Sequence, residues 1–187
     1  MDPILFVGVD IGIKKDTSAI VALYHDYDQG RFRLWGCRIY KPPVNMITQV
    51  EPCLIRLLKT QRVALLNYDP YMMATTRQRL VEDGFGSKLS EVNQGTEMIL
   101  ASNILHSHLV EDTLDLFDDP ELRSHFSHCN AKTGERGWRI VKASQSMPVD
   151  GVVACAMALM GATGDEDYNR HPSFQPSMHG RSIEVLP

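Results

Sequence analysis

Two apolar runs joined by a short polar corner constrain this sequence more than any other feature. Ile4 to Val9 is almost unbroken hydrophobic sequence that ends in Asp10, turns through Gly12 and Lys14-Lys15-Asp16, and leaves again as Ala19-Ile20-Val21-Ala22-Leu23. Runs of this length on either side of turn residues read as two antiparallel strands. A first strand with so little polar surface must be covered on both faces, which puts it in the middle of an α/β sheet. Asp10 then closes a central strand, where open α/β sheets gather their chemistry.

The rest of the chain supplies partners for that strand. Arg31 to Tyr40 follows the turn Asp26-Tyr27-Asp28-Gln29-Gly30 as a third strand, making a meander. Pro42 and Pro43 break it. A helix is predicted from about Glu51, after a less regular lead-in, and Val63 to Tyr68 is a fourth strand ending in Asp69-Pro70. A helix over Tyr71 to Glu82, a strand over Leu89 to Asn93 and a helix over Thr96 to Leu109 come next. Leu114 to Phe117 reads as an edge strand, and Asp119-Pro120-Glu121 starts a helix reaching about Asn130. Trp138 to Val141 is a strand after the Gly134 to Gly137 turn. Met147-Pro148-Val149-Asp150 then leads into Gly151 to Met160, apolar on all sides and therefore a buried helix. This order matches the RNase H-like fold, a mixed sheet of five or more strands flanked by helices.

With 187 residues, 43% of them hydrophobic, the chain has material for one domain with a real core, placed at residues 1–160. From Gly161 the sequence turns to Gly, Pro, Ser, His and charge, so residues 161–187 read as a flexible tail. A formal net charge of -4 gives no global basic field, so nucleic acid would have to be held by local patches. Cys37, Cys53, Cys129 and Cys155 have no CxxC spacing and read as reduced thiols of a cytoplasmic protein. No apolar run approaches 18 residues and no basic leader precedes the first strand, so neither a membrane span nor a secretory signal is expected.

Three carboxylates stand out, and each has an ordinary explanation. Asp10 suits the turn before Gly12, Asp69 before Pro70 suits a helix N-cap, and Asp150 suits the positive end of a helix dipole. Together they point elsewhere. Two acids at strand ends and one opening a buried helix can converge on one point of a sheet, where their charges repel unless cations intervene. Hard divalent metals bind such oxygens, and two ions about 3.5–4 Å apart promote phosphodiester hydrolysis.

Other polar clusters carry weaker signals. His106 and His108, or His125, His128 and Cys129 on one helix, would suit zinc only with a fourth ligand and regular spacing, which are lacking; surface or half-buried histidines are the simpler reading. Lys14, Lys15, Arg136, Arg139 and Lys142 fall near the carboxylate end of the sheet and suit phosphate contacts, or else a solvated charged loop. The Gly134 turn and its flanks suit a hairpin beside the site.

Larger segments carry a family resemblance. They are GVDIG from Gly8, DTSAIVAL from Asp16, Asp69-Pro70-Tyr71-Met72-Met73, Arg79-Leu80, Asn93-Gln94-Gly95, Ala101-Ser102, Asp119 to Arg123, Gly137 to Lys142, and above all Pro148-Val149-Asp150-Gly151 continuing to Ala158. Over Gly8 to Leu159 the chain resembles the nuclease domain of tailed-phage large terminases, which cut concatemeric DNA during genome packaging. The resemblance implies an RNase H-like endonuclease using two Mg²⁺ or Mn²⁺ ions, with metal ligands at Asp10, Asp69 and Asp150. Asp16 is a supporting acid or a turn cap, the cap being simpler. Double-stranded DNA, a packaging ATPase, a small terminase and a portal are the implied partners, in the cytoplasm of an infected host. One departure is plain: family members carry an N-terminal ATPase, and no GxxxxGK phosphate loop is present here. Leu114 to Glu121, LDLFDDPE, looks like an acidic ATPase motif but reads as an edge strand and a helix start. The rival readings are a Holliday junction resolvase or transposase on the same fold, a kinase-like phosphate binder, and a non-catalytic docking module.

Overall fold

Ile4–Ile11 forms β1 and Ser18–Asp26 forms β2, paired antiparallel with Asp10 opposite Ala19. The computed structural model describes residues 2–12, 16–116 and 119–164. Within them β3 (Arg31–Tyr40) completes the meander. A π-helical turn (Met46–Val50), begun by the Asn45 side chain accepting the Ile47 and Thr48 amides, leads into α1 (Glu51–Thr60). Pro52 sits in the first turn of α1, where a missing N–H is harmless.

The order continues as β4 (Arg62–Tyr68), α2 (Pro70–Glu82), β5 (Leu89–Glu91), α3 (Thr96–Val110), β6 (Leu114–Asp115), α4 (Pro120–Ser127), β7 (Cys129–Gly134), β8 (Gly137–Lys142) and α5 (Asp150–Thr163). Six strands make a mixed sheet in the order β5-β4-β1-β2-β3-β6, and β7 and β8 form a separate hairpin. β1 runs antiparallel to β2 and parallel to β4, so it lies inside the sheet, as its continuous hydrophobicity requires. This is the mixed α/β sheet flanked by helices expected from the sequence.

Alternation along β1 divides its side chains between two cores. Leu5, Val7 and Val9 pack with Leu54 and Leu58 of α1 and Met73 and Leu80 of α2. Phe6 faces the other way, into a core with Met98, Ala101 and Leu105 of α3 and most of α5. Gly8 shares that second face because α5 passes directly over it: a Cβ there would stand 1.8 Å from the Ala154 carbonyl oxygen. Residue 8 must therefore be glycine for α5 to seat.

The structure departs from the sequence reading in three places. α4 stops at Ser127, and Cys129 to Gly134 forms a strand where helix was predicted to about Asn130. Pairing with β8, from Cys129 opposite Lys142 to Gly134 opposite Gly137, supplies backbone hydrogen bonds that override local helix propensity. His108 and His125 are fully buried, at 1% and 2% exposure, where surface or half-buried histidines were expected. Both face cores built by neighbouring elements, which single-sequence periodicity does not reveal. α5 also runs three residues past Met160, burying Gly161 and Ala162. The rest of the expected tail, residues 165–187, lies outside the described residues, as does Phe117. Among the described residues no helix is long and apolar enough to cross a membrane.

Candidate active site

Register and alternation bring the acids together. Val9 pairs with Tyr68 at the last step of the parallel β1–β4 ladder, so Asp10 and Asp69 end neighbouring strands, whose backbones lie about 4.8 Å apart. Gly8 faces α5, and Asn67 donates its side-chain amide to the Met157 carbonyl of α5. Two residues further along, Asp10 and Asp69 leave their strands toward that same helix. α5 begins with Asp150, 6% exposed. The three acids of the sequence analysis thus meet at one end of the sheet.

Their proximity registers in Asp10. Burial lifts this half-buried carboxyl to about 8, and the charges of Asp150 and then Asp69 push the same way, against Lys142 and the Ile11 backbone amide. The ends of the other two acids are held. Thr17 donates its hydroxyl to Asp150 Oδ2. Asp69 Oδ1 accepts the Tyr71 N–H at 2.9 Å and Oδ2 accepts Gln94 Nε2 at 2.7 Å. Asp69 therefore does cap α2, and it does so with a carboxylate that also faces Asp10.

Basic groups come from the hairpin. Lys142, at the end of β8, pairs with Asp16. Arg139 donates to the Gln94 carbonyl at 3.1 Å. Arg136 occupies the tight turn between Gly134 and Gly137, the latter at φ +125, a conformation open to glycine. It borders a shallow groove with Lys132, Arg139 and Ile99. The hairpin rests on α3, with the Ile140 N–H donating to Ser102 Oγ at 3.2 Å and Trp138 edge-on to His106. Lys14 and Lys15 lie outside the described residues.

Thr17, Gln94 and Lys132 join this neighbourhood without having been singled out by sequence as site residues. Thr17 was within reach of a periodicity argument, since odd positions of β2 such as Ala19 and Val21 face α5. Gln94 sits in a loop with no periodicity, and Lys132 lies past the predicted end of α4, in a flank of the expected hairpin.

Among the described residues no three His, Cys, Asp or Glu side chains are placed to hold one metal ion between them. Asp69 and Asp150 are each engaged by local donors. The donor chemistry nonetheless fits a hard divalent cation: carboxylate oxygens from three elements, with mutual repulsion raising the proton affinity of one of them. His125, His128 and Cys129 likewise form no such group among the described residues.

No protein-family model and no curated protein matches the sequence. Solved structures do match in fold. The chain superimposes on the HK97 bacteriophage large terminase with a TM-score of 0.71 at 16% identity, over 87% of this chain and 40% of that one. It matches the large terminase nuclease of thermophilic phage G20c with a TM-score of 0.66 at 15% identity, over 84% of this chain and 81% of that one. The large terminase nuclease domain of bacteriophage SPP1 with bound Mn gives 0.53 at 13% identity, over 83% and 84%. The chain thus has the fold of large terminase nuclease domains and spans less than half of the HK97 protein.

Proposed function

We propose that this chain is a divalent-metal-dependent endodeoxyribonuclease, the nuclease part of a large terminase that cuts concatemeric viral DNA during packaging. The observation that carries the reading is the shared electrostatic neighbourhood of Asp10, Asp69 and Asp150 at the end of β1 and β4. Proteins of this fold have been solved with bound magnesium, cobalt and zinc for G20c and with manganese for SPP1, which supports a divalent cation here.

Asp10, Asp69 and Asp150 would hold the ions, Mg²⁺ or Mn²⁺, with Asp16 at the margin. Two bound ions would supply Lewis-acid polarisation of the phosphate and activation of the attacking water. The chain's own groups do the rest. Thr17 orients Asp150, Gln94 and the Tyr71 amide orient Asp69, and Lys142 offsets negative charge beside Asp10. Lys132, Arg136 and Arg139 suit phosphate contacts, which position a duplex without reading its bases. Lys14 and Lys15 remain part of that proposal from sequence. The partners that follow are double-stranded DNA, a packaging ATPase, a small terminase and a portal, in the host cytoplasm.

A second reading has one observation in its favour. Among the described residues no three acidic side chains are placed to hold one ion between them, as a non-catalytic docking module would allow. Nicking of supercoiled plasmid with Mn²⁺, Mg²⁺ or EDTA, by wild type and Asp150→Asn side by side, separates the two. Metal-dependent cutting that the variant loses supports the nuclease. A folded wild-type protein that cuts with neither metal supports the docking module. Equal activity on linear and four-way DNA argues against a junction resolvase.

A further inference from the structure

Gln94 stands between the acid cluster and the hairpin. Its Nε2 donates to Asp69 Oδ2 at 2.7 Å, while its main-chain carbonyl accepts from Arg139 Nη1 at 3.1 Å. The loop around it is fixed locally. Asn93 Oδ1 accepts the Gly95 N–H at 2.7 Å and the Asn93 carbonyl accepts the Met98 N–H at 3.2 Å, so a side-chain turn clasps Gln94 on both flanks. The far oxygen of Asp69 is engaged as well, by the Tyr71 N–H at 2.9 Å. A carboxylate gripped at both oxygens has its plane set, and of the two grips only Gln94 leads on to a basic strand.

We propose that Gln94 is a positioning residue: it sets the plane of Asp69 toward a divalent cation and links that carboxylate, through Arg139, to the β7–β8 hairpin. The inference rests on the reading of Asp69 as a metal ligand. Each oxygen that accepts one hydrogen bond keeps a lone pair for a cation. Hydrogen bonds of this outer kind orient ligating carboxylates, and their loss typically weakens metal binding about 10–100-fold. Arg139 has a second use in the proposed function, as a phosphate contact. A duplex that draws Arg139 off the Gln94 carbonyl would therefore act on Asp69 without touching it.

The test is calorimetric titration of Mn²⁺, without DNA, into wild type, Asp10→Asn, Gln94→Ala, Gln94→Met, Arg139→Ala and the double variant Gln94→Met with Arg139→Ala. Thermal melts run alongside. Gln94→Met keeps the length of the side chain and removes its donor. The expected result is Mn²⁺ affinity about tenfold weaker in both Gln94 variants, with melting temperatures close to wild type. Arg139→Ala is expected to weaken Mn²⁺ binding too, and the double variant to lose less than the two single losses combined. Wild-type affinity in Gln94→Met, while Asp10→Asn binds Mn²⁺ weakly, overturns the role of Gln94 and leaves the acid cluster standing. Tighter binding in Gln94→Met also overturns it, since the amide would then be a restraint to be broken. Equal binding by wild type and Asp10→Asn overturns the acid cluster and this inference with it. Unchanged affinity in Arg139→Ala overturns the link to the hairpin.

Discussion

Asn67 of β4 donates its side-chain amide, at 2.7 Å, to the carbonyl oxygen of Met157 on the flank of α5. Gly161 makes the room, because a Cβ at that position would stand 2.6 Å from Asn67 Nδ2. Asn67→Ala removes the tie and leaves a buried carbonyl without its side-chain partner. A loss of about 1–3 kcal/mol is expected, read as a lower denaturant midpoint with unchanged slope. Gly161→Ala should fall in the same direction. A midpoint equal to wild type in both would mean that α5 is held by apolar packing alone.

Removing one of the clustered acids is expected to strengthen the metal-free fold. Asp10→Asn replaces a carboxyl that burial, and then the charges of Asp150 and Asp69, force to take up a proton in the folded state. A gain on the order of 1 kcal/mol corresponds to a melting temperature about 2–4 °C higher for a chain of this size. Mn²⁺ should raise the melting temperature of wild type and leave the variant unmoved, since a ligand stabilises only the state that binds it. Identical Mn²⁺ responses would count against Asp10 as a ligand.

Acid should weaken the fold through His108. Burial, with a smaller contribution from the His25 charge, holds this imidazole down at about 4, against an ordinary value of about 6.5. The folded protein therefore keeps His108 neutral, its Nδ1 2.8 Å from Thr113 Oγ1 and its ring edge-on to Phe32. The unfolded chain takes up a proton near 6.5, so the stability is whole above that pH and is lost as pH falls toward 4. The full difference is on the order of 3 kcal/mol. Denaturation at pH 7.5 and 4.5 should show a smaller drop in His108→Gln than in wild type.

The hairpin is expected to carry a measurable share of the attraction for DNA. Lys132→Ala together with Arg136→Ala, in an Asp150→Asn background that prevents cutting, should weaken duplex binding without changing sequence preference. The slope of log affinity against log salt should fall by about two. An unchanged slope in fluorescence anisotropy would place the duplex elsewhere on the surface.

The centre of the fold was legible because its signals are local. β1 is apolar throughout and sits inside the sheet, Asp69-Pro70 both ends β4 and starts α2, and the all-apolar stretch after Asp150 is the buried helix α5. The hairpin about the Gly134 turn was expected, but Cys129 and Asn130 were read as helix because their strand identity comes from Lys142 and Val141 across that hairpin, not from their own residues. Within the candidate site, Asp10, Asp69 and Asp150 were visible at element ends. Gln94 was not, because its place depends on an amide–carboxylate contact between a loop and a strand end far apart in sequence.

The order in which the acids occur has a consequence for synthesis. Asp10 and Asp69 stand side by side once β1 and β4 pair, and Asp150 joins them only when α5 packs over Gly8. A chain still emerging from the ribosome, or one severed before α5, carries two of the three acids and lacks the third. In the proposed nuclease the hydrolytic centre would then stay incomplete while the protein is being made, and the seating of α5 would both close the core and switch the enzyme on.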